Sequence, residues 1–359
     1  MSLLQTSSPI NFSTTAGYED QNTRNGSQCL PEKMGEWIFT VFPVYIVLIS
    51  VFGIVMNVFV LAVFCLHRKA CTVAEIYLSN LAVADLVVVA LLPFWAVYTA
   101  NRFGWPFSAP LCILVNLSIS MNALCSINFL VMISIDRYLA LVHPLSDTKM
   151  RRPRYAKLCC VLMWCIGLLM SVPQMYRKIE YISSSNKTLC SVVFPDENAL
   201  KVYEVFLTML NFIIPVSIIS FCTAMIVRVL NKRISAKKKE LKASTLMFTV
   251  LVAFLICWVP FHVVRIMGLL ERYGGTGYYG LCVLDTWRQI CINLAFFNSV
   301  LNPGLYVVVG QNFRRKVREM FNQWHKRMNS TIISRTMHTS IRLERESRLS
   351  RAKTEGLGA

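Results

Sequence analysis

The sequence predicts an all-α membrane protein: a seven-transmembrane helix bundle with a short amphipathic eighth helix. Three observations predict it. Seven long apolar runs recur along the chain. The 359 residues are 55% hydrophobic and only 16% charged, against about 25% charged for a soluble globular protein. The basic residues that give a formal net charge of +18 fall in short clusters between the runs, which is a membrane pattern. They do not interleave with aromatics in one patch, so no nucleic-acid partner is expected.

The runs are Val41–Leu66, Ile76–Ala100, Phe103–Ile135, Leu158–Tyr176, Val205–Val227, Ala243–Val264 and Gln289–Gly310. Each is about 19 residues or longer, enough to span the hydrocarbon core. Unsatisfied backbone groups are very costly in lipid, so each run is a helix rather than an open strand. Prolines at 93, 173, 215, 260 and 303 fall in or near the runs, where a membrane bundle tolerates kinks. The third run organises the rest. At about 1.5 Å per residue, Cys112 and Asp136 lie roughly 36 Å apart. One tilted helix then puts a cysteine at one membrane face and Asp136-Arg137-Tyr138 at the other, closing the run.

Lys and Arg set the orientation. The connectors between runs 1–2, 3–4 and 5–6 and the stretch after run 7 are basic, whereas on the other side basic and acidic residues offset each other. The N terminus is therefore expected outside and the C terminus in the cytosol of a multi-pass plasma-membrane protein. Residues 1–36 show no cleavable signal, so the first run is expected to act as its own anchor. The sequons at Asn11, Asn25 and Asn186 all fall on the expected outer side. Four cysteines lie there too, Cys29, Cys112, Cys190 and Cys282, and an oxidising compartment favours pairing them. The spacing leaves all three pairings open.

These boundaries divide the chain into a glycosylated extracellular tail (1–38), the helical domain (39–310), an amphipathic interfacial helix (311–325) and a disordered cytoplasmic tail (326–359). In the third segment the apolar residues at 313, 317, 320 and 321 share one face, which suits a helix lying in the bilayer interface. The last is rich in Ser, Thr and Arg and open to phosphorylation.

Asp85 is the one acid inside a run. An intramembrane carboxylate is costly, so it must face the bundle and find partners. Candidates are Asn122, Ser126, Asn298, Ser299 and Asn302. Their oxygens suit a sodium ion; without an ion they form a hydrogen-bonded polar cluster. No other cofactor is expected.

Seven runs, the expected topology and Asp136-Arg137-Tyr138 resemble a rhodopsin-like G-protein-coupled receptor. Each remaining run carries a mark of that family: Gly53-Ile-Val-Met-Asn57, Leu81-Ala-Val-Ala-Asp85, Trp164, Pro215, Phe254 with Cys257-Trp258-Val-Pro260, and Asn302-Pro303-Gly-Leu-Tyr306. Within it, Cys71-Thr-Val-Ala-Glu-Ile-Tyr77, Leu92-Pro-Phe-Trp95, Ser120-Met-Asn122 and Ile256-Cys-Trp-Val-Pro-Phe261 are similar to the bradykinin receptor family, the type-2 form more than the type-1 form. Where type-1 receptors carry a lysine this chain has Ser120, which implies room for a ligand ending in arginine.

The resemblance implies a receptor for kinin peptides, with angiotensin, apelin or chemokine receptors as the alternative within the family. It implies coupling mainly to Gq/11, with Gi as a further partner, then phospholipase C and calcium release. Receptor kinases and arrestin would act on Thr336, Thr339 and Ser340. It implies the disulfides Cys112–Cys190 and Cys29–Cys282, and ligand contacts at Trp95, Ser120, Trp258, Phe261 and Gln289. Asp285 and Glu271 would meet the peptide's N-terminal end, and Arg177 or Lys178 its C-terminal carboxylate. Asp136, Arg137, Tyr138, Phe254, Trp258, Pro260, Asn302, Pro303 and Tyr306 form the activation switch, and Arg137 and Leu145 meet the G protein. Two positions depart from the family. Gly268 replaces an acid at the top of run 6, with Arg265 a turn below. Thr223 stands where most rhodopsin-like receptors have a tyrosine in run 5, a threonine that the type-2 bradykinin receptors share, and it leaves Tyr306 without its phenol partner.

An enzyme is not expected, since no HExxH, phosphate loop or catalytic triad signature appears. A light sensor lacks its lysine, because Phe296 stands at that position. A channel or transporter would show internal repeats and several intramembrane charges, whereas this chain has one such charge.

Overall fold

Seven helices of the computed structural model are long and apolar enough to cross a membrane, and they fall on the seven expected runs. The structure describes residues 10–11, 36–67, 71–143, 152–182, 187–194, 197–232, 238–274, 278–308, 310, 312–325, 328 and 336–342. Of these, backbone alone is described at 10–11, 182, 192–194, 197, 230–232, 238–247, 251, 271–274, 278–283 and 285. In chain order the elements are β1 (Ile10–Asn11), α1 (Ile38–Leu66), α2 (Val73–Ala100), α3 (Ala109–Leu141), α4 (Pro153–Ser171), β2 (Arg177–Ile182), β3 (Lys187–Phe194), α5 (Glu197–Thr208), α6 (Ile214–Lys232), α7 (Lys238–Gly274) and α8 (Tyr278–Val308). A 3-10 turn, Val172–Tyr176, extends α4, and a π turn, Met209–Ile213, joins α5 to α6 into one span.

The spacing along α1 shows how each helix divides its faces. Ile46, Ile49, Gly53, Asn57, Val60 and Phe64 are buried at intervals of three and four, while Val44, Val47, Val51, Val55 and Val58 are exposed. Both faces are apolar, so the stripe pattern of a soluble helix is missing and the outward side chains need a bilayer. Gly53 lets α1 and α2 touch: a Cβ there would lie 2.7 Å from the Val89 side chain. At the start of α2, Thr72 and Glu75 form a reciprocal capping box, Thr72 N–H donating to Glu75 at 2.8 Å and Glu75 N–H to Thr72 at 3.4 Å. This satisfies two of the orphan donors at the helix start.

The third span differs from expectation at both ends. Residues 101–108 are turns rather than helix, with Arg102 and Phe103 at φ of 50° and 63°, a left-handed backbone that a helix cannot continue. Helix resumes at Ala109, with proline in the first turn, where its missing N–H costs nothing. At the other end Asp136-Arg137-Tyr138 does not close α3, which runs on to Leu141.

One end of the bundle is capped by the β2–β3 hairpin, in which Ile179 pairs Cys190. The Cys112–Cys190 disulfide ties the hairpin to α3, and Trp105, 1% exposed, exchanges backbone and hydroxyl hydrogen bonds with Thr188 at 2.8 and 2.7 Å. Cys29 and Cys282 lie outside the residues with described side chains, as do the sequons at Asn25 and Asn186; Asn11 lies on β1. At the opposite end, residues 312–325 are helical. Phe313 is buried edge-to-face against Phe59 and Phe64, Lys316 sits 2.9 Å from Glu75, and Glu319 sits 3.0 Å from His67. In the tail, expected to lack regular structure, residues 336–342 are helical and exposed. So short a helix with no packed face is marginal in water.

Candidate functional site

Three sites lie along the bundle axis, the first at Asp85. Its side chain is fully buried between α2, α3 and α8. Asp85 Oδ1 accepts hydrogen bonds from Asn122 Nδ2 at 2.9 Å and Ser299 Oγ at 2.8 Å, and Oδ2 accepts one from Asn302 Nδ2 at 3.1 Å. Asn122 also donates to Ser126 Oγ at 3.2 Å. Four of the five expected partners therefore converge. Asn298 does not: both its amide atoms are buried without a hydrogen-bond partner among the described residues.

Toward the end away from the disulfide, Arg137 pairs with Asp136 at 3.3 Å. The pair neutralises the arginine, and it is the arrangement expected when the switch is off. Tyr138 hydrogen-bonds His143 at 3.0 Å. Leu145 lies outside the described residues.

Toward the disulfide end, α7 carries Pro260 inside it, with Phe254 and Trp258 stacked one turn apart, centroids 5.9 Å and planes 24°. Phe261 meets Trp258 edge-on at 6.0 Å, and His262 stacks on Phe212 at 4.6 Å. Trp95 packs on Tyr98 and Phe296. Above Trp258, buried polar atoms accumulate without partners among the described residues: Trp95 Nε1, Trp258 Nε1, His262 Nδ1, Arg265 Nη2 and Asn293 Oδ1. Asn293 Nδ2 itself donates to the Gln289 carbonyl at 2.8 Å. A buried polar group without a partner is costly, so their concentration in one aromatic-walled region marks the place where a polar ligand would be received.

The expected ligand residues separate in this frame. Ser120 accepts a hydrogen bond from Ser171 at 3.0 Å and is partly spent on α4. Arg177 and Lys178 do not act as a pair. They are successive residues of β2, so they face opposite ways: Arg177 is buried and Lys178 exposed. Arg177 Nε donates to Gln174 at 2.9 Å and Nη1 to the Cys190 carbonyl at 3.0 Å. Burial pulls its guanidinium down to about 10, so it stays charged at neutral pH. Glu271 and Asp285 lie on α7 and α8 beyond the residues with described side chains.

The chain that carries these spans, the central carboxylate, the Asp-Arg pair and the aromatic-walled polar region is similar to known proteins. Residues 56–306 match the 7 transmembrane receptor (rhodopsin family) domain. The chain is 40% identical to the B2 bradykinin receptor of Cavia porcellus, covering 83% of this chain and 82% of that one. With the B2 bradykinin receptor of Homo sapiens it shares 41%, covering 82% and 78%. With the B1 bradykinin receptor of Homo sapiens it shares 40%, covering 79% and 82%. The chain belongs to the rhodopsin family of seven-transmembrane receptors, in its bradykinin-receptor branch. It is a multi-pass membrane receptor and its family is not one of enzymes.

Family marks take their places in the receptor accordingly. Asn57 donates to the Gly53 and Ser299 carbonyls at 2.9 and 3.0 Å, joining α1 to α8. Trp164 donates to Asn80 at 3.0 Å, joining α4 to α2. Tyr306 is 1% exposed and its hydroxyl has no hydrogen-bond partner among the described residues, as the threonine at 223 implies. Glu204, Tyr203, His262 and Arg288 were missed in the sequence. Glu204 is 7% exposed on α5 and acts electrostatically on Arg265, as do Tyr203 and Arg288. The overlooked signal was an acid in the polar first turn and a half of a span.

Proposed function

We propose that this receptor binds extracellular kinin peptides in the cavity above Trp258 and signals mainly through Gq/11, with Gi as a further partner, to phospholipase C and calcium release. The observation that carries the assignment is the cluster of buried, unpartnered polar atoms walled by Trp95, Phe261 and Trp258. Two relatives at about the same identity, named B2 and B1 bradykinin receptors, support the ligand class. Ser120, a small neutral group in α3, favours the intact peptide over the form without its last arginine. The peptide shifts the equilibrium only by its differential affinity for the active bundle. Pressure on Trp258 swings the inner half of α7 about Pro260. Arg137 then leaves Asp136 and, with Leu145, meets the G protein at the cytosolic face of the plasma membrane. Phosphorylation of Thr336, Thr339 and Ser340 by receptor kinases recruits arrestin.

The residues around Asp85 fit a sodium ion. Asn302 Oδ1 and Tyr306 Oη are buried oxygens without hydrogen-bond partners among the described residues, and such hard ligands suit a small cation. Asp85 would hold it, with Ser126 and Asn302, and the ion would add charge compensation to the inactive packing.

The test is calcium mobilisation in transfected cells given bradykinin, its form lacking the last arginine, and angiotensin. The expected order of potency is intact bradykinin, then the shortened peptide, with angiotensin silent. No response to either kinin at micromolar concentration overturns the ligand assignment.

A further inference from the structure

We propose that Arg265 is the receptor's carboxylate-reading residue: its guanidinium, with His262 one turn deeper, takes the free C-terminal carboxylate of the bound peptide. The assignment rests on the kinin reading of the cavity, and it moves the carboxylate contact from Arg177 to α7.

Residue 265 neighbours 262 on one side and 268 on the other, each one turn away along α7. His262 is 2% exposed, with Nδ1 unpartnered among the described residues. The Arg265 side chain reaches into the same region, and its Nη2 is shut off from solvent with no hydrogen-bond partner there. Gly268 has no side chain, and a Cβ there would meet nothing within 4 Å. The approach to Arg265 from the disulfide end is therefore open. A guanidinium so placed is an incomplete site, since a buried cation needs a counter-charge and hydrogen bonds together. Glu204 is the one carboxylate that acts on it among the described groups, and the two form no ion pair. Arg288 adds a second positive charge to the same field.

Arg177 is the rival, and its bonding argues against it. Its Nε and Nη1 are already committed to Gln174 and the Cys190 carbonyl. Those bonds fix the 3-10 turn after α4 to the hairpin, which is a structural task. Arg265 instead offers a planar fork with an idle nitrogen, the geometry that matches a carboxylate. The wall that α7 presents is thus positive, and the peptide group set against it is an anion.

The experiment compares bradykinin with its C-terminal amide in calcium assays on the full-length receptor, with surface display followed through an N-terminal epitope. The wild-type receptor is expected to prefer the acid by roughly 10- to 100-fold, the usual worth of a charge-assisted hydrogen bond. Arg265→Gln is expected to bring that ratio close to one, and Arg177→Gln to leave it at the wild-type value. Arg265→Lys keeps the charge without the fork, and should reduce the ratio at least about threefold; this variant decides the matter if the glutamine variant does not reach the surface. An unchanged ratio in the Arg265 variants, or its collapse in Arg177→Gln, overturns the assignment. A wild-type receptor that answers both peptides equally overturns it while leaving the kinin reading intact. One that is silent to both removes the two together.

Discussion

The centre of the bundle and the region above it are both rich in buried polar groups, yet only the centre gathers its donors on one carboxylate. Around Asp85 three donors from α3 and α8 converge on one carboxylate. Around Trp258 the Trp258 Nε1, His262 Nδ1 and Arg265 Nη2 atoms have no hydrogen-bond partner among the described residues. The first region contributes to holding the helices together, because each hydrogen bond to a charged group stabilises and each orphan left behind costs. The second gives up some stability in the free receptor so that a ligand can supply what is missing. Polar burial alone therefore does not distinguish structure from recognition; convergence on a shared charge does, even though Asn298, Asn302 and Tyr306 keep unpartnered atoms among the described residues.

Substitutions can break this contrast or sharpen it. The largest effect is expected at Asp85→Ala, which removes three buried hydrogen bonds and leaves the Ser299 and Asn302 donors without their acceptor, at about 1–3 kcal/mol each. The thermal midpoint of purified receptor should fall by several degrees or the protein should fail to accumulate, and an unchanged midpoint would contradict the network. Arg137→Ala should cost little in folding but reduce peptide-driven GTP loading more than about tenfold, measured with purified G protein. Trp95→Phe removes an N–H that no described residue accepts. Stability should stay within about 0.5 kcal/mol while kinin potency drops about tenfold; a destabilised variant would mean that the indole already has a partner. Lys178→Gln is expected to change potency less than about threefold, because an exposed charge is screened.

The spans were legible because length and lack of charge decide them in lipid: all seven runs became helices, with ends shifted by up to about eleven residues. Asp85 and its partners were legible for the same reason, since each is a polar residue with few alternatives inside an apolar run. Asn298 shows the limit. Its neighbours Ser299 and Asn302 reach the carboxylate from α8 and it does not, which depends on side-chain direction rather than position in the run. Arg177 and Lys178 were indistinguishable until the strand register separated their faces. The π turn at Met209–Ile213 left no signal, because an extra residue in an apolar helix changes neither composition nor length appreciably. Glu204 and Arg265 belong to different spans and become a site only when α5 and α7 are brought together.

The helix at 312–325 follows the last span yet fastens elsewhere. Its Lys316 pairs with Glu75, its Glu319 hydrogen-bonds His67 and its Phe313 ring meets Phe59 and Phe64, all on α1, α2 or the turn between them. It is thereby bolted to the first two helices rather than to α7. A protein docking beneath would meet there a ledge joined to the opening of the bundle and not to the span that carries Trp258.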